Sequence, residues 1–231
     1  MTDAYDEPPG INPRGTVIVA AGRGETVAAY QRFGRRIAAD GYRVRVLPDV
    51  AAEPSLSLAT VEKLLVDVDS PAPRVVVGSD TGGLFALTLA RRRTAGLDAV
   101  VLAGLPAPGT PDADVSNWAD ELEARSACPT YRGYLEAGAV TPGALSTAQI
   151  PIELTGDADI VTIPTLGVHG DTDAISPLGA ARYPGPVTVI SGGRHDVLND
   201  LSHRTVAATI VLFLERLRLG ADLPVIAAVT P

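Results

Sequence analysis

Val75-Val76-Val77-Gly78-Ser79-Asp80-Thr81-Gly82-Gly83-Leu84-Phe85-Ala86-Leu87 is the stretch whose reading decides the fold. Three β-branched residues lead into a glycine, a short polar turn follows, and an apolar segment then runs at helical spacing. The order is strand, tight turn, helix. Gly78 and Gly82 flank the turn symmetrically about Asp80. A side chain at either flank would collide with the neighbouring strand or helix, while the residue between them takes up strained backbone geometry. Ser79 is the competing centre, but it would put the β-branched Val77 and Thr81 at the flanks, where they fit badly. Asp80 is therefore read as the residue at the bend. The plainer alternative is a βα turn of an ordinary doubly wound sheet, with glycines that serve packing alone.

Upstream of the bend, Thr16 to Ala20 reads as a buried strand and residues 21–25 as the turn leaving it. A helix follows from about Thr26, with Tyr30, Phe33, Ile37 and Ala38 on one face and a stop at Gly41. Val44 to Leu47 is the next strand, and Leu56 to Val68 the next helix, with Leu58, Val61, Leu64 and Leu65 inward. Downstream, the helix begun at Thr81 runs to about Thr94, and Asp98 to Gly104 is a fourth strand. Regular alternation then breaks between Leu105 and Pro164, where a helical piece spans about Trp118 to Ala127. This reads as a small lid, residues 105–164. Strand Thr165 to Val168, a short helix after Ser176-Pro177, strand Val187 to Ile190 and a long helix from Thr205 to Leu217 complete the chain. The expected fold is a three-layer α/β/α domain over residues 14–231, with a mostly parallel sheet of about six strands. Residues 1–13, acidic and proline-rich, read as a flexible tail, and the apolar run 223–229 is expected to cover its own domain.

The chain has 231 residues, a formal net charge of −8 and a pI near 4.8. Such an acidic balance points to a small-molecule partner and away from nucleic acid or an acidic membrane surface. The N-terminus lacks the charged and apolar segments of a signal peptide, no apolar run reaches membrane-spanning length, and a cytoplasmic protein is expected. The single cysteine, Cys128, excludes an internal disulfide and reads as a buried bystander. Neither a metal nor a cofactor is expected, and the oligomeric state stays open.

Open parallel sheets carry their chemistry at the carboxyl ends of the strands. The third expected strand ends at Asp80. The fifth runs into His169-Gly170-Asp171-Thr172-Asp173-Ala174-Ile175-Ser176-Pro177, and the sixth into Ser191-Gly192-Gly193-Arg194-His195-Asp196. With Gly22-Arg23-Gly24-Glu25 and the later Tyr30, these runs resemble the α/β-hydrolases, in particular the monoacylglycerol-lipase and lysophospholipase-like branch, over about Thr16 to Leu219. The resemblance implies a nucleophile elbow at Asp80, a base at His195 and an acid at Asp173, with Asp171 as the competing acid. It also implies an oxyanion site built from the backbone N–H of Thr81 and that of Ala21 or Gly22. His169 reads as structural, His203 as a packing or surface residue, and Arg194 and Asp196 as braces for the histidine loop. Arg23 and Glu25 either pair across their loop or contact substrate.

The lipase-like pattern has serine where this chain has Asp80. A carboxylate attacking an ester would make an anhydride, whereas at saturated carbon it gives an alkyl ester that His195, oriented by Asp173, helps water to cleave. The expected reaction is hydrolysis of a small apolar epoxide or alkyl halide. Trp118 is the candidate halide donor, and Tyr131, Tyr134 and Tyr183 the candidate acids for epoxide opening, each with a competing role in lid packing. Two other readings stay open: a carboxylic-ester or thioester hydrolase using Asp80 as base, and a non-hydrolytic ligand-binding protein, lyase or isomerase. Two carboxylates beside one imidazole are expected to hold His195 protonated at rest.

Overall fold

A computed structural model describes residues 2–107, 115, 117–156 and 161–228. Parts of the expected lid (residues 108–114, 116 and 157–160) and the end of the apolar tail (residues 229–231) lie outside the described residues. The described strands form one seven-stranded sheet in the order β1-β3-β2-β4-β5-β6-β7. β2 is Thr16–Ala20, β3 Arg43–Leu47, β4 Arg74–Ser79, β5 Ala99–Ala103, β6 Thr165–Gly170 and β7 Val187–Ile190, all mutually parallel. β1, Asp3–Tyr5, is antiparallel to β3 and lies in the segment expected to be a flexible tail. The acidic residues that make the tail look loose anchor it: Glu7 pairs with Arg43 and Asp6 with Arg45. Tyr5 also lies over Gly34, where any Cβ would come within 2.5 Å of its ring.

Strand residues alternate between two cores. Val17, Val19, Val75, Val77, Val101 and Val168 face one layer, and Ile18, Ala20, Val76, Val100 and Leu102 the other. On the first face pack α1 (Gln31–Ala39), preceded by a 3₁₀ turn at Val27–Tyr30, and the long α7 (His203–Leu219). Phe33, Ile37 and Ala38 of α1 point inward, as the periodicity predicts, and the left-handed Gly41 (φ +92°) follows the helix end. On the second face lie α2 (Pro54–Val66), started by proline at its first turn, and α3 (Thr81–Arg91). Burial of α3 is nearly complete, which matches its apolar composition.

Between β5 and β6 come three short helices, α4 (Trp118–Arg125), α5 (Pro129–Tyr134) and α6 (Ala144–Thr147). The helix expected after Ser176-Pro177 is absent; residues 178–180 make a single turn, with Ala180 and Ala181 N–H groups bonded to the Pro177 carbonyl. In the C-terminal tail Leu223 packs on the core, but Val225 is 72% exposed, so the tail covers its domain only in part.

Candidate active site

The bend after β4 is held by two backbone contacts. A Cβ at Gly78 would lie 2.0 Å from the Gly82 carbonyl oxygen, and one at Gly82 would lie 2.0 Å from that of Ala20. Between them Asp80 takes φ 50°, ψ −122°, a conformation that costs an L-residue about 1–3 kcal/mol and persists only where its surroundings impose it. Ser79 stays within β4, so the strained residue is Asp80. The bend turns its carboxyl toward the loops that follow β2, β6 and β7.

One loop brings His195, whose Nε2 lies 3.4 Å from Asp80 Oδ1. On the far side of the ring, Nδ1 donates to Asp173 Oδ2 at 2.9 Å. The Asp173 carboxylate is itself aimed, its Oδ1 accepting from the N–H groups of Ile175 and Ser176. Asp171 instead caps the Gly192 N–H away from this line. His169 is buried behind it, bonded through Nε2 to the Ser176 carbonyl and through Nδ1 to the Tyr183 hydroxyl. Burial lowers the pKa of His169, which fits a neutral ring bracing the Asp173 loop. His203 begins α7, beyond the strand-end loops.

The loop after β2 brings a partner that the sequence does not assign to Asp80. Arg23 Nε donates to Asp80 Oδ2 at 2.9 Å, its Nη2 to Oδ1 at 3.0 Å, and its backbone N–H to Oδ2 at 3.0 Å. The same guanidinium reaches the Leu145 carbonyl through Nη1. Arg23 therefore ties the Asp80 carboxylate to the β5–β6 segment, and both side chains are buried, Asp80 being 2% exposed. A two-pronged buried pair of this kind is lost at a cost of about 3–5 kcal/mol when one partner is removed. Of the two roles open to it, pairing with Glu25 or substrate contact, Arg23 does not take the first, and in this structure it pairs with Asp80.

Glu25 serves a second buried cluster. Its Oε2 accepts from the Gly22 N–H at 2.8 Å and from the Tyr30 hydroxyl, and its Oε1 from the Tyr131 hydroxyl at 3.2 Å. The Gly22 N–H, one of the expected oxyanion donors, is therefore occupied by a carboxylate, while the Arg23 N–H faces Asp80. Thr81 opens α3, where the first N–H groups lack helical acceptors. Tyr131 also donates toward Asp196, and Arg125 sits among Glu25, Glu121 and Asp196 at 3.0–3.7 Å. Arg125 further binds the Arg23 carbonyl at 3.1 Å. Tyr131 is thus a buried network member. Tyr134 is partly exposed, and Trp118 packs on the rim of the core.

The ionisation of these groups follows from who faces whom. Burial works to neutralise Asp80, but Arg23 and His195 overcome it and hold the carboxyl far below the ordinary range. Burial also opposes charge on His195, yet Asp173 and Asp80 outweigh it and raise its pKa to about 10. Asp173 is held low against burial by His195. Asp196 goes the other way: burial, only partly countered by Arg125, pushes it up to about 7. At neutral pH the line reads carboxylate, imidazolium, carboxylate, with a guanidinium at its Asp80 end.

Beside the site, an open cavity of about 550 Å³ is lined by residues of α4 and of the β6 and β7 loops, including Asp120, Glu123, Thr172, Ala174 and Arg194. Neither Asp80 nor His195 lines it. Among the described residues no cluster of three or more His, Cys, Asp or Glu side chains is placed to hold a metal ion. Among them, too, no helix is long and apolar enough to cross a membrane.

No family model and no curated protein matches this chain. Solved structures do. A monoacylglycerol lipase of Paleococcus ferrophilus superposes with a TM-score of 0.65 at 16% identity, over 93% of this chain and 97% of that one. A soluble variant of the Saccharomyces cerevisiae monoglyceride lipase, in complex with a substrate analog, gives 0.69 at 14% identity over 93% and 91%. A meta-cleavage product hydrolase from Pseudomonas fluorescens gives 0.64 at 17% over 93% and 92%. These superpositions show the α/β-hydrolase fold and, at identities this low, the fold alone; within it the chemistry is decided by the site.

Proposed function

We propose that this chain is a hydrolase of the α/β-hydrolase type in which Asp80 is the nucleophile, His195 the proton carrier and Asp173 the residue that orients it. The observation that carries the reading is the strained Asp80 with its carboxylate beside His195 Nε2, and Asp173 on the ring's other nitrogen. Strain of that kind is retained where it serves a function. An electrophilic saturated carbon fits the carboxylate better than an ester does. Attack gives a neutral alkyl ester of Asp80, and the imidazolium then loses one of the two charges that keep it protonated. The ring can release its proton, take one from water and return it to the departing alcohol. The Arg23 N–H, already on Asp80 Oδ2, is placed to hold the oxyanion of that second step. The segment between β5 and β6 would act as the lid, with Tyr131 a structural member and not the acid.

The test is turnover of a panel of small epoxides, alkyl halides and p-nitrophenyl esters, combined with His195→Gln. Covalent hydrolysis at carbon predicts that the variant stalls as an alkyl adduct on the Asp80 peptide, read by mass. Ester turnover without an adduct would support Asp80 as a base. A second reading, a non-hydrolytic binding protein, is favoured by the clamp of Arg23 on a buried Asp80. It predicts no turnover of any panel member.

A further inference from the structure

The Asp80 nucleophile meets an obstacle in this structure, because its oxygens are already engaged. Oδ2 accepts from the Arg23 backbone N–H and Nε, and Oδ1 accepts from Arg23 Nη2 with His195 beside it. For Oδ1 to attack carbon, the guanidinium must leave it. Whatever else Arg23 touches, the Nε and Nη2 hydrogens that leave Asp80 then need acceptors in a buried place. A neutral epoxide or alkyl halide supplies none of comparable strength. A substrate carrying its own carboxylate does, since it re-forms the same two-pronged pair while freeing Asp80.

Resting on the nucleophile reading above, we propose that the substrate is a small carboxylic acid with its leaving group on the carbon next to the carboxylate, and that Arg23 passes from Asp80 to that carboxylate. Position and size both follow from geometry. The guanidinium lies 3.0 Å from the attacking oxygen, so an anion seated on it is a bond or two from the carbon attacked. The surroundings are tight, because a Cβ at Gly22 would lie 2.8 Å from Asp80 Cβ. The charge count closes as well. Before reaction Arg23 and His195 face Asp80 and Asp173; after it, Arg23 faces the substrate carboxylate and His195 faces Asp173. In the first step the Asp80 Oδ1 to carbon bond forms and the carbon to halogen bond breaks, its electron pair leaving on halide. In the second, His195, now facing one carboxylate only, first gives its proton to solvent; water then gives a proton to the neutral ring and its oxygen to the Asp80 carboxyl carbon, the 2-hydroxy acid leaves with that proton, and the proton left on the Asp80 carboxyl returns to His195. The expected apolar substrate is thereby replaced by an anionic one.

The experiment uses chloroacetate and chloroacetamide, a pair alike in shape and different in charge. Alkylation of Asp80 is followed by peptide mass in the full-length His195→Gln chain, and each rate is divided by that of the denatured chain. The expected result is a preference for chloroacetate of about tenfold or more, lost when Arg23→Met is added to the His195→Gln chain. In the unsubstituted chain, which needs no variant to fold, acetate should slow chloride release from chloroacetate and raise the unfolding temperature while acetamide does neither. Labelling by the amide as fast as by the acid, or a preference that survives Arg23→Met, overturns this inference and leaves the nucleophile reading in place. Labelling by neither reagent overturns both.

Discussion

At Asp80 two opposed demands meet in one side chain: a strained backbone that projects it, and a guanidinium that holds it down. If Arg23 and Asp80 are stabilised chiefly by each other, removing either strands the other as a buried charge. Arg23→Met and Asp80→Asn are each expected to lose about 3 kcal/mol in urea unfolding. The double variant should lose clearly less than the two losses combined. Strict additivity would mean that the pair is not coupled. Gly78→Ala places a methyl on the Gly82 carbonyl, and a destabilisation on the order of 3 kcal/mol is expected by the same measurement. The bend is readable from its two glycines because backbone proximity permits nothing larger there. The Arg23 clamp is not, because an arginine between glycines in a turn gives no sign of which carboxylate it will meet once β2 and β4 lie side by side.

Arg125 is one of several ties between the β5–β6 segment and the rest, beside the Thr26 and Thr141 backbone bonds and the Ser126–Asp200 pair. From α4 it reaches Glu121 on its own helix, Glu25 and the Arg23 carbonyl in the β2 loop, and Asp196 in the β7 loop. Arg125→Met should cost about 3–5 kcal/mol, since it leaves three carboxyls buried without their cation. Hydrogen exchange in α4 and α5 should rise before exchange in β4 and β5; a uniform rise across both would show that the segment is not separately anchored. Glu121 and Arg125 are visible in the sequence as a helical pair four residues apart, a spacing that usually marks a solvated face. Burial by the β2 and β7 loops is a tertiary fact with no local trace. The same holds for β1, where pairing with β3 outweighs a composition that reads as loose. The regular strands and helices are legible, because period and glycine placement are local properties.

Over the whole molecule the buried charges set how stability depends on pH. Folding raises His195 from 6.5 to about 10 and Asp196 from 3.8 to about 7, so both bind protons more tightly in the folded chain. Their contribution is present at low pH and lost as pH rises through about 7 for Asp196 and about 10 for His195. Asp80 and Asp173, held low, contribute stability that is fully present above about pH 4, the unfolded value, and is lost as pH falls below it. The unfolding temperature should peak near pH 5 and fall toward pH 9, with His195 contributing up to about 1.4 kcal/mol per pH unit above its unfolded value. A curve that stays flat or climbs from pH 5 to 9 would mean that His195 is not held as an imidazolium. At the centre of the molecule Asp80 is proposed to bond covalently to its substrate. The most direct test is a single turnover in heavy-oxygen water, enzyme in excess, with any small epoxide or alkyl chloride that is consumed. Heavy oxygen in the Asp80 peptide is the predicted result; heavy oxygen in the product alone, with Asp80 unlabelled, would contradict it.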